Sequence, residues 1–346
     1  MTPRRNADDT ALEIAFADEP FPPFLEETDE ALRDVAVADE RKVGAREIHG
    51  HSLWQTGHRY FGWDVVCVHS WLLFCGADCL MDSADLLPEF ALIPSGEFVM
   101  GADDADEDER PAHRVQLDDF LVAVHPVTNA EYARFVGETG HRAPAIYELP
   151  LVVTAGGAER ENTFRSAGQP YVWIDSEPPA NRLDHPVTLV RWDDAVAYCA
   201  WLSAASGKPV RLPTEAEWEK AARGGLEGKR YPWGDNLERN LANFLVDPSL
   251  KDSQGTTRCR TYPANAYGLF DMSGNVWEWV YDWHSPSYYA ASPYKAPAGP
   301  REGTLRVLRG GSWLSADMRM LSCSHRHKVP PDTYSYGIGF RIAADV

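Results

Sequence analysis

Residues 268–279 read GLFDMSGNVWEW, and their apolar positions follow neither the helical nor the strand period. A Ser-Gly-Asn turn precedes two tryptophans, Trp277 and Trp279, which stand on either side of Glu278. Large indole rings on an irregular backbone are typical of a core that is assembled from loops. A glutamate placed among them needs a cation or a hydrogen-bond donor as its partner. The stretch therefore predicts a loop-rich domain with a compensated carboxylate in its core.

The composition excludes several classes of protein. Hydrophobic residues make up 44% of the 346-residue chain, which argues against global disorder. The formal net charge of −19 argues against sequence-independent binding to nucleic acid or to an anionic membrane surface. No apolar run is long enough to cross a bilayer. We therefore expect neither a nucleic acid nor a membrane as partner.

The cysteines and the first residues bear on the cellular compartment. Six cysteines are too sparse and too irregularly spaced for a small disulfide scaffold. The basic residues near Met1 are followed by Asp8 and Asp9 rather than by an apolar stretch, so they do not form a secretory signal. These features predict a cytoplasmic protein with free thiols.

The chain divides into two parts that differ in composition and sequence pattern. Residues 1–85 are predicted to be an N-terminal extension that is partly flexible and has no assigned function. This part ends in a stretch rich in histidine and cysteine, but the lack of CxxC or HxxxH spacing favours packing over metal binding. The sequence pattern of residues 86–346 is typical of a compact domain.

Within this domain, short runs favour strands and a few capping signals favour helices. Residues 90–101 predict a hairpin, and the acidic loop 103–109 is interpreted as a solvated turn. Capping boxes at Thr128 and Thr214 open two helices, and a third spans 192–206. Helix capping and solvation explain the presence of Glu215 and Glu217 at the start of a helix, so we do not interpret them as an acid–base pair. The predicted class is α+β, irregular and loop-rich, with few helices and short strands.

Seven motifs of the domain resemble, in order, those of the formylglycine-generating enzyme family, also called the sulfatase-modifying factor family. The resemblance covers about residues 90–344 and implies that family's C-type-lectin-like fold, with a groove near the C-terminal segment. The motifs are IPSGEFVMG (93–101), PVTNAEY (126–132), HPV (185–187), RLPTEAEWE (211–219), YPWG (231–234), WEW (277–279) and GGSW (310–313).

The resemblance also implies structural calcium. One site would use backbone oxygens of Ser273, Gly274 and Val276 with the carboxylate of Glu278, which the ion would neutralise. The alternative is that hydrogen bonds to backbone amides compensate Glu278. A second site would begin at Asn243 and Phe244, but its downstream half falls near Lys251, where the sequence departs from the family pattern.

The family's oxidases hold Cu(I) with two cysteines five residues apart. Alignment backwards from GFR (339–341) places Cys323 on the second cysteine and Met318 on the first. Cys323 is therefore the candidate catalytic residue, and Cys323 with Met318 are the candidate copper ligands. A thioether is a neutral and weaker ligand than a thiolate. We predict that the two-cysteine copper site is not intact.

The resulting prediction is a divergent family member that binds a peptide, a protein or a small molecule in the C-terminal groove. Three alternatives stay open: a copper-dependent formylglycine oxidase, a relative of the non-haem-iron sulfoxide synthases that share this domain, and a variable binding protein of diversity-generating retroelements. The predicted groove residues are Trp279, Trp313, Ser315, Met318, His325, Arg326, Tyr334 and Tyr336.

Overall fold

The structure is a computed structural model that describes residues 86–150, 154, 157–236, 238, 240–245 and 255–346. The N-terminal extension and the stretch around Lys251 that was expected to complete a second calcium site lie outside the described residues. None of the helices within the described ranges is both long and apolar enough to span a membrane.

The described residues include four α-helices. They are α1 (Asn129–Thr139), α2 (Gly157–Gly168), α3 (Trp192–Ser206) and α4 (Glu215–Arg223). The expected capping boxes of Thr128 with Glu131 and of Thr214 with Glu217 are both present. Left-handed glycines end α1, α3 and α4, where a side chain would strain the backbone. The two capping signals and the helix over 192–206 are confirmed.

Ten short strands in the described residues form three sheets. The strands of the first two sheets are β1 (Phe90–Ile93), β2 (Gly96–Met100), β3 (His113–Leu117), β4 (Phe120–Ala123), β5 (Val210–Arg211) and β10 (Ala343–Asp345). The first, in the order β1-β4-β10-β5, is antiparallel and joins both ends of the described domain. The predicted hairpin over residues 90–101 is wrong, because β1 pairs with β4 whereas β2 pairs antiparallel with β3 across the acidic loop.

The third sheet consists of β6 (Trp277–Trp283), β7 (Arg306–Arg309), β8 (His327–Val329) and β9 (Ile338–Phe340). Its strand order is β8-β7-β6-β9, and it carries the WEW motif in its interior. Strand β6 pairs antiparallel with β7 and parallel with β9, so Glu278 lies opposite both Arg309 and Gly339. Few helices and short strands among long packed loops confirm the predicted α+β class.

The core consists of three apolar clusters. One gathers α1, α3 and the inner face of β6, including Trp279. The second lies between the first two sheets and α4 and contains Trp218 and Cys323. The third is aromatic and forms where α2 covers Trp313 and Tyr336. Cys199 is 4% exposed in the first cluster, as its position on the apolar face of α3 predicts.

Candidate functional site

The C-terminal segment, residues 318–326, lies over α4 and is held there by Arg309. This arginine is fully buried, and its Nη1 and Nη2 atoms donate hydrogen bonds to the carbonyls of Cys323, Ser324 and His325 at 2.5–2.7 Å. Nη2 also contacts Glu219 Oε2 at 2.6 Å. One buried charge on β7 thus fixes three consecutive residues of the segment.

Cys323 does not line a groove. It is 1% exposed and belongs to the second core cluster, whereas Met318 begins a 3-10 helix with half its surface exposed, at 52%. Burial raises the pKa of the Cys323 thiol to about 12, although Arg223 lies near enough to oppose the shift. The thiol is therefore protonated at neutral pH, and the two predicted copper ligands lie in different environments.

The aromatic residues predicted to line the groove form a core cluster instead. Trp313, Tyr334 and Tyr336 are at most 9% exposed. Tyr171 stacks on Trp313 and on Tyr336 with ring centroids 6.3 and 5.9 Å apart. Helix α2 brings Phe164 against the same rings. The chain itself thus fills the expected groove, because the irregular segment between α1 and α3 folds back over it.

Three further predicted groove residues have internal roles. Trp279 is fully buried and donates a hydrogen bond to the carbonyl of Val190 at 3.1 Å. Arg326 is 1% exposed and forms a two-pronged pair with Glu215 at 2.7 and 2.9 Å. Ser315 is 4% exposed and its hydroxyl accepts a hydrogen bond from the backbone of Ser312. Their prediction as ligand contacts is therefore wrong, and so is the interpretation of Glu215 as solvated.

A cavity of about 600 Å³ opens beside the C-terminal segment instead. Its walls are the acidic loop, with residues 101–106, the loop 228–230, and the side of the segment that carries Arg319, Ser322 and Ser324. Charges of both signs meet at its rim, where Arg230 contacts Asp104 and Lys229 contacts Asp235, each at 2.6 Å. The cavity is therefore suited to a polar ligand that carries both donors and acceptors.

The acidic loop is not a simple solvated turn. Asp108 and Glu109 are 7% and 2% exposed. Asp108 contacts His284 at 2.9 Å and Lys328 at 3.0 Å, and His284 and Lys328 hold the pKa of this buried carboxyl well below its usual range. His325, a predicted groove residue at 9% exposed, places Nδ1 3.4 Å from Glu109 Oε1. These partners lie about 175 to 220 residues from the acidic loop along the chain, and no local sequence pattern predicts the contacts.

The buried carboxylate of Glu278 has a different partner from the expected calcium ion. Arg341 contacts its two oxygens at 2.6 and 2.7 Å, and the indole nitrogen of Trp218 donates to it at 2.6 Å. All three residues are at most 1% exposed. A guanidinium thus supplies the compensating charge, so this residue does not fit the predicted role of neutralised calcium ligand.

The turn that was expected to supply backbone ligands is joined to the second predicted site. The carbonyl of Asn243 accepts a hydrogen bond from the Asn275 backbone at 2.8 Å. A Cβ at Gly274 would lie 2.3 Å from that same carbonyl, so only glycine permits this approach. Ser273 binds Leu321 through its hydroxyl at 2.8 Å, while Val276 is buried and Phe244 is half-buried. Calcium at this turn stays a prediction.

The family model of the sulfatase-modifying factor enzyme 1-like domain matches residues 78–346 of the chain. The chain belongs to the sulfatase-modifying factor family. It is similar to the formylglycine-generating enzyme of Streptomyces coelicolor, with 40% identity over 73% of this chain and 88% of that protein. It is also similar to the inactive C-alpha-formylglycine-generating enzyme 2 of Mus musculus, with 35% identity over 79% and 91%.

Similarity extends to a longer protein and to a solved structure. The serine/threonine-protein kinase Pkn1 of Chlamydia trachomatis is 39% identical over 75% of this chain, but the match spans only 39% of the kinase's own length. The structure of PvdO from Pseudomonas aeruginosa superimposes with a TM-score of 0.61 at 26% identity, covering 76% of this chain and 97% of PvdO. The shared region is thus the family domain.

Proposed function

We propose that this member of the family binds a small polar molecule or a peptide and does not generate formylglycine. The observation that carries the proposal is the environment of Cys323. It is the only cysteine between residues 260 and 346, and it lies protonated within the core. Among the described residues, Cys199, Cys259 and Cys323 are all unpaired. Free thiols fit the cytoplasmic location that we also propose.

The geometry around Cys323 gives a physical reason against oxidase chemistry. Cu(I) binds thiolates, and a thiol at a pKa of about 12 ionises only at a high energetic cost. Cys199 belongs to a different core cluster, so it is not a second thiolate for the same ion. The sulfoxide-synthase alternative would draw iron ligands from residues 1–85, outside the described ranges, and stays a prediction, as does the variable-protein alternative.

The chemical half of the proposal is tested with a cysteine-bearing sulfatase peptide. The full chain is incubated with the peptide, Cu(I), reductant and air, with a formylglycine-generating enzyme as positive control. We expect no aldehyde by mass spectrometry. We also expect Cys323→Ser and the parent protein to give identical Cu(I) titration curves, because a buried thiol does not contribute a ligand. Repeated turnover to the aldehyde would overturn the proposal.

The binding half is tested at the cavity. Ala112 lines the cavity, and Ala112→Trp places an indole inside it. Ala204 is exposed on α3, so Ala204→Trp is the matched control. A library of zwitterionic metabolites and short peptides is screened by ligand-observed NMR. We expect some of these compounds to bind the parent protein and the control variant. Their affinity for Ala112→Trp should be at least about tenfold weaker. Ligands that bind Ala112→Trp undiminished, or a library without hits at millimolar concentration, would contradict binding in this cavity.

A further inference from the structure

Three side chains converge at the inner end of the cavity. Asp106 and Glu109 come from the acidic loop, and His325 comes from the C-terminal segment. One oxygen of each carboxylate and one ring nitrogen of the histidine all lie within 4.8 Å of one another. The cavity wall includes Asp106 and Glu109, so the cluster is accessible from the cavity.

Buried polar atoms of this cluster lack protein partners. Glu109 is 2% exposed, and its Oε2 atom has no hydrogen-bond partner. His325 is 9% exposed, and neither ring nitrogen meets hydrogen-bond geometry, although Nδ1 is 3.4 Å from Glu109 Oε1. A buried donor or acceptor without a partner destabilises the folded protein. A carboxylate oxygen and an imidazole that both lack hydrogen bonds within one cluster indicate a ligand that the protein residues do not replace.

The surrounding contacts fix the positions of these groups. The 3-10 helix Glu107–Glu109 is anchored by Asp108, whose backbone carbonyl accepts a hydrogen bond from Arg326 Nη1 at 2.8 Å. The carbonyl of Glu109 accepts a hydrogen bond from the backbone of Ala102 at 3.1 Å. A Cβ at Gly101 would lie 2.4 Å from this carbonyl, so the loop closes only because residue 101 is glycine. The backbone of His325 is fixed by Arg309.

We propose that Asp106, Glu109 and His325 bind a divalent first-row transition-metal ion of the zinc type. An imidazole nitrogen with two carboxylate oxygens is a donor set that such ions accept. Tetrahedral bonds of about 2.1 Å place neighbouring donors about 3.4 Å apart. The His325 Nδ1 to Glu109 Oε1 distance is 3.4 Å, and rotation of the half-buried Asp106 side chain brings in the third donor.

The charges near the cluster are compatible with a cation. Two carboxylates, those of Asp106 and Glu109, face it. Arg319 lies 3.4 Å from Asp106, but it also pairs with Asp317 at 2.6 Å and keeps that partner when a metal binds Asp106. A fourth coordination position would face the cavity. The metal site adjoins the proposed ligand cavity and does not depend on it.

The test is metal binding by the full chain, which also contains the histidines and cysteines of residues 1–85. Protein stripped with a chelator is titrated with Zn²⁺ by calorimetry and with Co²⁺ by visible absorption. The variants are His325→Gln, Glu109→Gln and Asp106→Asn, and the matched control is Glu107→Gln, an exposed acid of the same 3-10 helix. The measured quantities are the number of equivalents bound and the dissociation constant.

We expect His325→Gln and Glu109→Gln to lose one equivalent, or at least about 100-fold in affinity, because removal of a direct ligand exceeds the 10- to 100-fold cost of removing an outer-shell partner. Glu107→Gln should match the parent. Asp106→Asn, at the accessible edge, keeps the fold and should still weaken binding at least about tenfold. Superimposable isotherms for the parent, Asp106→Asn and His325→Gln would overturn the site. Aldehyde formation from the sulfatase peptide would overturn only the proposed function.

Discussion

Replacement of Arg341 by methionine is expected to lower the free energy of unfolding by about 3–5 kcal/mol. Arg341 is fully buried, and it contacts both oxygens of Glu278 and the backbone carbonyls of Ala123 and Phe270. Methionine has a similar length but carries no charge, so Glu278 would be left ionised in the core without its cation. The free energy is measured by urea denaturation of the full chain.

The matched control is Arg260→Met. Arg260 pairs with Glu89 at 2.8 Å, but the two side chains are 40% and 64% exposed. Solvent screens such a pair, so the control should lose no more than about 1 kcal/mol. If both variants lose the same amount, burial of the Arg341–Glu278 pair is not what determines the cost.

The same pair of variants decides what compensates Glu278. Each is denatured with and without millimolar calcium. Because the structure assigns the compensating charge to Arg341, we expect calcium to stabilise both variants by the same amount. Selective rescue of Arg341→Met by calcium would instead make Glu278 a calcium ligand and restore the prediction made from the sequence.

The second large effect is expected from Asp282→Asn and depends on pH. Asp282 is 2% exposed and accepts a hydrogen bond from the backbone of Glu215 at 2.7 Å. Burial, with the nearby charge of Glu215, raises the pKa of Asp282 to about 8. Arg326 opposes this shift and holds the pKa of Glu215 itself below its usual range despite burial.

The sign follows from proton linkage. An unfolded aspartate has a pKa of about 3.9, so between pH 4 and pH 8 the folded protein keeps a proton that the unfolded chain has released. Asp282 therefore lowers the free energy of unfolding by up to about 1.4 kcal/mol for each unit of pH increase in this window. Asparagine keeps the hydrogen-bond acceptor without the ionisation.

We expect the difference in the free energy of unfolding between Asp282→Asn and the parent to shift steadily in favour of the variant from pH 4 to pH 8. At pH 8 the variant should be the more stable of the two. Denaturation midpoints over this range measure the difference. The subtraction cancels the contribution of Asp108, whose lowered pKa makes stability fall as the medium becomes acidic. A difference that does not change with pH would show that Asp282 is ionised in the folded protein.

Local patterns predicted local elements well. The spacing of Thr128 and Glu131 and that of Thr214 and Glu217 were sufficient to place two helix starts, because a capping box is formed within four residues. The third helix ends at Ser206 as Gly207 implies. The motifs also indicated the family and its irregular α+β fold. These conclusions needed no knowledge of partners distant in the chain.

The predicted groove was wrong because burial is a property of the whole fold. Trp313 and Tyr336 occur among polar residues in the sequence, and nothing nearby shows that Tyr171 and Phe164 will cover them. The same holds for the acidic loop. Its residues suggest solvation, but Glu109 reaches His325 only after the hairpin and the C-terminal segment have packed together.

The amino-acid sequence by itself therefore determined the family, the loop-rich class, the helix starts and the need to compensate Glu278, since each follows from neighbouring residues or from a motif. Only the tertiary structure decided that Arg341 provides this compensation, that Cys323 is buried, and that a polar cavity opens beside the acidic loop. The physical reason is that charge pairing and burial depend on distances in space, and the partners here are separated by 63 residues in one case and by more than 200 in another.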